Sequence, residues 1–404
     1  MVQKCLSPKT LFLIYSFLIF SAAPLISHAL VGIDWTQTTA SATFSARSGH
    51  AAVMFKDKMW ILGGLSTNSL SFYNDIWSST DGVTWNEAVA NAPWGKRVNH
   101  ASLVYDGKLW VFGGIGSGGS YSDVWYSNDG VTWTQATSNA PWGNRSHFAS
   151  VEFNGKMWLL GGIIQGTSPP VRRNDVWSSN DGISWSQITP NANWAPREGH
   201  RAVVFNNKIW IVGGLNPESP YGHYDSQGEW VDKYFNDSWY SSDGITWNMA
   251  TANAPWKARH GHALVSFSNR IWVINGFYDF GYEDDVWYSY DGTTWSQATP
   301  DAPWAPSYDI PAVVFDQKIW IIGSFSPYQG VWYSEVPYID IGLRIFDGTS
   351  VVKIAAEPLG VLTSPLRIAK NGTIYGIALV APESLRASKL RVNTNSGVRA
   401  LRKL

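Results

Sequence analysis

Twenty-four tryptophans in 404 residues fall into register with one another, and that register constrains the fold more than any other feature. One series lies in the apolar runs KMWILGG, KLWVFGG, KMWLLGG, KIWIVGG, RIWVING and KIWIIGS. Its members are Trp60, Trp110, Trp158, Trp210, Trp272 and Trp320, separated by 50, 48, 52, 62 and 48 residues. A second series comprises Trp77, Trp125, Trp177, Trp239, Trp287 and Trp332, and a third follows an Asp-Gly pair at Trp85, Trp133, Trp185, Trp247 and Trp295. A fourth, in the connection to the next unit, is Trp94, Trp142, Trp194, Trp256 and Trp304, which leaves only Trp35 and Trp230 without a counterpart. A period near 50 residues marks a stacked supersecondary unit. Each unit holds four short β-branched or aromatic segments broken by Gly, Asn-Asp or Asp-Gly, which predicts four antiparallel strands, A to D. The sixth unit stops after its third strand, GVWYSE, whereas the chain opens on an orphan fourth strand, GIDWTQ, carrying Trp35. Joined, the two complete one sheet and close an all-β, six-bladed propeller over residues 30–336 without an open edge.

The stretches RSGHAAVMFKDKMWILGG and REGHRAVVFNNKIWIVGG resemble kelch repeats of the galactose-oxidase-like propeller class, over about three quarters of the chain. The recurring Ser79-Thr80-Asp81-Gly82-Val83-Thr84-Trp85 pattern is similar to the Asp box of sialidases but is one residue shorter between Asp and Gly, in all five copies. An Asp-Gly pair between two strands predicts a C–D hairpin turn, because glycine supplies positive φ and the carboxylate caps nearby N–H groups. In sialidases the box lies away from the catalytic centre, so the similarity implies fold rather than activity.

Alternating strand direction puts the D–A and B–C connections on one face, where propellers bind ligands, and the Asp-Gly turns on the other. On the ligand face Arg47, Arg97, Arg145, Arg197 and Arg259 precede strand A, followed three residues later by His50, His100, His200 and His262, with Phe148 in the third unit. Guanidinium groups around a pore suit carboxylates. Asp75, Asp123, Asp175, Asp237 and Asp285 precede strand C on the same face, however, and the sixth unit replaces both partners at once, with Ser307 and Gly330. Paired loss favours an Arg–Asp brace within each blade, while Arg197, Arg259 and His260 stay candidate ligand contacts. No His, Asp or Glu grouping has a familiar metal-site spacing, and no cofactor is expected.

The 62-residue separation exposes an insertion in the fourth B–C connection, LNPESPYGHYDSQGEWVDKYF, and a loop beyond scaffold need calls for another explanation. It brings Tyr221, His223, Tyr224, Glu229 and Trp230, and the fifth B–C loop, FYDFGYED, adds Tyr278 and Tyr282. Aromatic faces beside carboxylates suit sugar rings.

The two ends read differently. Lys4 and Lys9, the apolar run Leu11 to Leu25 and the small-residue site Ser27-His28-Ala29 predict a signal peptide over residues 1–29. Its removal takes away Cys5 and leaves an exported chain without thiols. From Pro337 the tryptophans cease, and ten Lys or Arg stand against four Asp or Glu, whereas residues 30–336 carry 18 against 27. Residues 337–404 are expected to form a small basic β module of about five strands. Without a mature cysteine, the copper-oxidase centre of galactose oxidase, with its Cys–Tyr crosslink, cannot form. A sialic-acid mutarotase-like enzyme would need one arginine for a carboxylate and an acid/base group such as Glu198 or Glu229. The leading expectation is a monomeric, non-enzymatic binding propeller, secreted, periplasmic or on the cell surface. It would recognise a glycan or an extracellular protein through the fourth and fifth B–C loops, with neither nucleic acid nor an integral membrane segment involved.

Overall fold

Two consecutive residues of positive φ turn strand A into strand B in every blade: Lys56-Asp57, Asp106-Gly107, Asn154-Gly155, Asn206-Asn207, Ser268-Asn269 and Asp316-Gln317. This mirror-image turn matches the right-handed strand twist, and Asn, Asp and Gly tolerate it best. The computed structural model describes residues 34–39, 42–167, 169–216, 233–278, 281–304, 307–323 and 330–335, together with the backbone of strands between 339 and 400. The residues of the expected signal peptide lie outside this set, and among the described residues no helix is long and apolar enough to cross a membrane.

Six antiparallel sheets follow one another in the order A-B-C-D, as in blade 1 with Ala51–Phe55, Lys58–Ser66, Phe72–Ser79 and Asn86–Val89. The last sheet takes A, B and C from Ala312–Phe315, Lys318–Ile322 and Val331–Glu335, and its D strand is Thr36–Thr39 from the start of the chain. Thr36 pairs with Tyr333 and Gln37 with Trp332, so the propeller is six-bladed and closed as its sequence implies. Inner strands from all six blades line an axial cavity of about 160 Å³.

Neighbouring blades interlock through tryptophan. The strand-B indoles of Trp320, Trp60, Trp110, Trp158 and Trp210 lie against Gly82, Gly130, Gly182, Gly244 and Gly292, the turn glycines of the following blade, so closely that a Cβ there would sit 2.1–2.4 Å from the ring. These glycines also have φ between +72° and +82°. Glycine is therefore required twice, by the backbone and by the neighbour. Beside it, Asp129 Oδ1 accepts the N–H groups of Val131 and Thr132 and the Ser127 hydroxyl, and these bonds, Thr132 first, hold the carboxyl at about 2. Trp94, Trp142, Trp194, Trp256 and Trp304 are buried between blades.

Beyond the propeller, Ile339–Phe346 pairs with Val351–Ala356. A four-stranded sheet runs Leu366–Lys370, Thr373–Ile377, Arg391–Thr394, Gly397–Ala400, of which the first strand was not anticipated.

Candidate functional site

The braces expected from sequence are present in five blades. Arg47, Arg97, Arg145, Arg197 and Arg259 are 0–1% exposed, and each donates through both terminal nitrogens to its aspartate, at 2.6 and 2.8 Å for Arg47 and Asp75. Nη1 also reaches a strand-B carbonyl and Nε a connection carbonyl, as in Arg197 to Gly213 and Ala195. Every guanidinium nitrogen is thus spent inside the blade. Arg197 and Arg259, expected as ligand contacts, are both buried, with their guanidinium nitrogens engaged within the blade.

Between the braces and the axis, one residue per blade joins a closed ring of backbone hydrogen bonds. Asn99 donates to Gly49, His147 to Asn99, Gly199 to His147, Gly261 to Gly199, Asp309 to Gly261, and Gly49 to Asp309, at 2.7–3.1 Å. All six have φ between +52° and +63°. Three are glycines, and the side chains of the other three, Asn99, His147 and Asp309, remain at the mouth. Asn99 Nδ2 meets His147 Nε2 at 2.5 Å. Asp309 accepts from Arg201 Nη2 at 2.8 Å, and Arg201 Nε donates to the His262 carbonyl, so one side chain of blade 4 reaches blades 5 and 6. The residue at Arg201's place is alanine in four other blades, Ala51, Ala101, Ala149 and Ala263, a departure visible in the sequence but not singled out above. Glu198, proposed as an acid/base group, is 8% exposed and its Oε1 accepts both Nε and Nη2 of Arg172, at 2.9 and 2.7 Å.

His50, His100, His200 and His262 are buried between blades rather than on the mouth. His50 Nε2 lies 3.0 Å from the Ile322 carbonyl, and burial, reinforced by Arg47, pushes its pKa down to about 3. The other three are also held well below the usual histidine range, burial first.

Three of the sequence candidates do come together, in a group of rings where blades 4, 5 and 6 meet. The fifth B–C connection is a hairpin: Arg270–Tyr278 and Gly281–Ser289 stay paired out to Tyr278 and Gly281. His260 pairs its backbone with Phe277, and their rings meet edge-on at 5.6 Å. Tyr234 lies 5.8 Å from His260 and 5.5 Å from Tyr278. Tyr308, from the connection into blade 6, lies 5.9 Å from His260 and 5.3 Å from Phe277, and stacks on Tyr282 at 5.8 Å and 28°. Tyr282 is 45% exposed, whereas His260, Tyr234, Phe277, Tyr278 and Tyr308 are half-buried. Burial, then Asp309 and Tyr282, raises the Tyr308 phenol above its usual value, and burial lowers His260 against the pull of Asp309 and Glu198.

Tyr234, Phe277 and Tyr308 were not anticipated. Phe277 stands where Leu65, Ile115, Ile163 and Leu215 follow the glycine pair in other blades, and Tyr308 follows the Ser307 that breaks the arginine pattern. Tyr221, His223, Tyr224, Glu229 and Trp230 lie outside the described residues. The insertion's ends are placed: Asn216 N–H donates to the Lys233 carbonyl, and Tyr234 of the ring group follows directly. Among the described residues no group of three or more His, Cys, Asp or Glu could hold a metal ion.

Residues 29–214 match the model of the KLHDC2/KLHL20/DRC7 Kelch-repeats domain. No curated protein matches the chain.

Proposed function

We propose that this six-bladed kelch-repeat propeller is an exported, non-catalytic binding module, and that it takes a glycan or an extracellular protein at the corner where blades 4, 5 and 6 meet. The single observation that carries the reading is the ring group Tyr234, His260, Phe277, Tyr278, Tyr282 and Tyr308, in mutual contact and partly open to solvent. Surface aromatics gathered beside polar groups suit a ligand that offers C–H faces and hydroxyls. The described ends of the blade-4 B–C insertion, Asn216 and Lys233, are joined by a backbone hydrogen bond and lead directly into Tyr234 of this group; Trp230 lies outside the described residues. Export rests on the amino-terminal sequence pattern.

Kelch architecture alone would not select this function, since a propeller hosts many. The pairing of Glu198 with Arg172 weighs against the mutarotase-like alternative, because that carboxylate is already engaged as an ion-pair acceptor. A glycan array probed with the full chain tests the proposal, repeated with Tyr282→Ala and Tyr308→Ala. Binding that drops in both variants supports the corner; binding indifferent to both places the site elsewhere.

A further inference from the structure

We propose that the axial cavity of the propeller is a binding site of its own, for a small carboxylate held by Arg201. Two residues after each member of the backbone ring, the inner wall carries Ala51, Ala101, Ala149, Ala263 and Pro311 in five blades and Arg201 in the fourth. The histidines that share the lining, His50 and His100, are kept uncharged at neutral pH, burial being the first cause. No carboxylate is among the described lining residues. Arg201 is therefore the charge that faces the axis, set among small apolar side chains.

Its guanidinium is held unlike those of the braces. Each brace arginine closes both terminal nitrogens on one aspartate and is 0–2% exposed. Arg201 donates Nε to the His262 carbonyl at 2.9 Å and Nη2 to Asp309 at 2.8 Å, whereas Nη1 meets no acceptor among the described residues. Its side chain is 28% exposed. A guanidinium anchored on one side presents a preset fork on the other, and that fork matches a carboxylate. Each strand A is paired along one edge only, so backbone N–H groups on its other edge add donors towards the axis. Asp309 meets Arg201 from the backbone ring and is not among the lining residues, which leaves the positive end of the pair on the cavity side. The histidines agree with that sense. Burial lowers His262, with Arg201 next, whereas at His260 Asp309 is the first group to oppose burial. A cavity of about 160 Å³ is near the size that admits about six carbon atoms, so the ligand is a small acid and not an oligosaccharide.

The site is separate from the ring group, and either can fail without the other. The test is saturation-transfer NMR on the methyl signal of acetate with the full chain, repeated with acetamide, which has the same shape and no charge. Acetate should show saturable transfer with a Kd at least about tenfold below that of acetamide, and formate should displace it. Arg201→Ala installs the residue that four other blades carry and should weaken acetate binding at least about tenfold. Ala51→Ile narrows the axis with a side chain that suits a strand, leaves Arg201 in place, and should weaken acetate as well, which keeps the proposal open to test if Arg201→Ala does not fold. Equal affinity for acetate and acetamide overturns the anionic class of the ligand. Acetate binding unchanged in either folded variant overturns the assignment to Arg201 and the cavity. Absence of saturable transfer to the unaltered chain overturns the proposal outright.

Discussion

Aromatic rings on the ligand face serve opposite ends in two regions. In blades 1, 2 and 4 the residue two before the brace aspartate is Tyr73, Tyr121 or Phe235, and the brace guanidinium sits over its ring at 4.4, 4.2 and 3.9 Å. In blade 5 the same position is Glu283, which turns outward to Lys257, and blade 6 has lost the brace altogether. There the rings contact one another instead. Blade 3 keeps its brace but carries Arg173 at that position and has no ring there to cap, so guanidinium capping of this ring is confined to blades 1, 2 and 4.

Breaking a brace should have the largest effect. Asp123→Asn leaves Arg97 buried without its counter-charge and turns one of its four acceptors into an amide N–H₂, and urea unfolding should show a loss of about 3–5 kcal/mol. A loss below about 1 kcal/mol would mean that the brace is not what holds blade 2 to its loop. Acid comes next and sharpens the same contrast between interior and rim. A histidine kept neutral by the fold contributes in full above its unfolded value of 6.5, and that contribution falls away as pH drops towards about 3, because only the unfolded chain takes up the proton. For His50 this amounts to about 2 kcal/mol between pH 8 and pH 5. Replacing it as blade 3 already does, His50→Phe, should lessen the pH dependence of the unfolding midpoint across that window by one histidine's share, with His100, His200 and His262 keeping the rest; an unchanged slope would clear His50 of the effect. Tyr282→Ala should have the smallest effect on stability, under about 1 kcal/mol, since the ring is 45% exposed. A larger loss would make the ring group a packing element and remove its claim to be a site.

The propeller was legible because tryptophan does two jobs that tolerate few substitutes: strand-B indoles fill the seat over a turn glycine, and connection indoles fill the gap between blades. The braces were legible from their joint loss at Ser307 and Gly330, since a buried charge without its partner is costly. The corner was half legible. Tyr278 and Tyr282 stood out in a loop that departs from the repeat and His260 beside the brace residue Arg259, whereas Phe277 and Tyr308 occupy ordinary repeat positions and differ only in ring for aliphatic or tyrosine after a lost arginine. Arg201 escaped for a different reason: its meaning depends on Asp309, 108 residues away, and only the closed ring brings blades 4 and 6 together.

The six hydrogen bonds joining Gly49, Asn99, His147, Gly199, Gly261 and Asp309 all run in one sense around the axis. A helix of peptide units has two ends, and partial charge gathers at each. A circle has none. Dipoles placed head to tail around it cancel in sum, so the backbone collar rigidifies the mouth and contributes almost no potential of its own. Polarity at the entrance is left to the few side chains that interrupt the glycines, and can be rewritten by single substitutions without disturbing the collar.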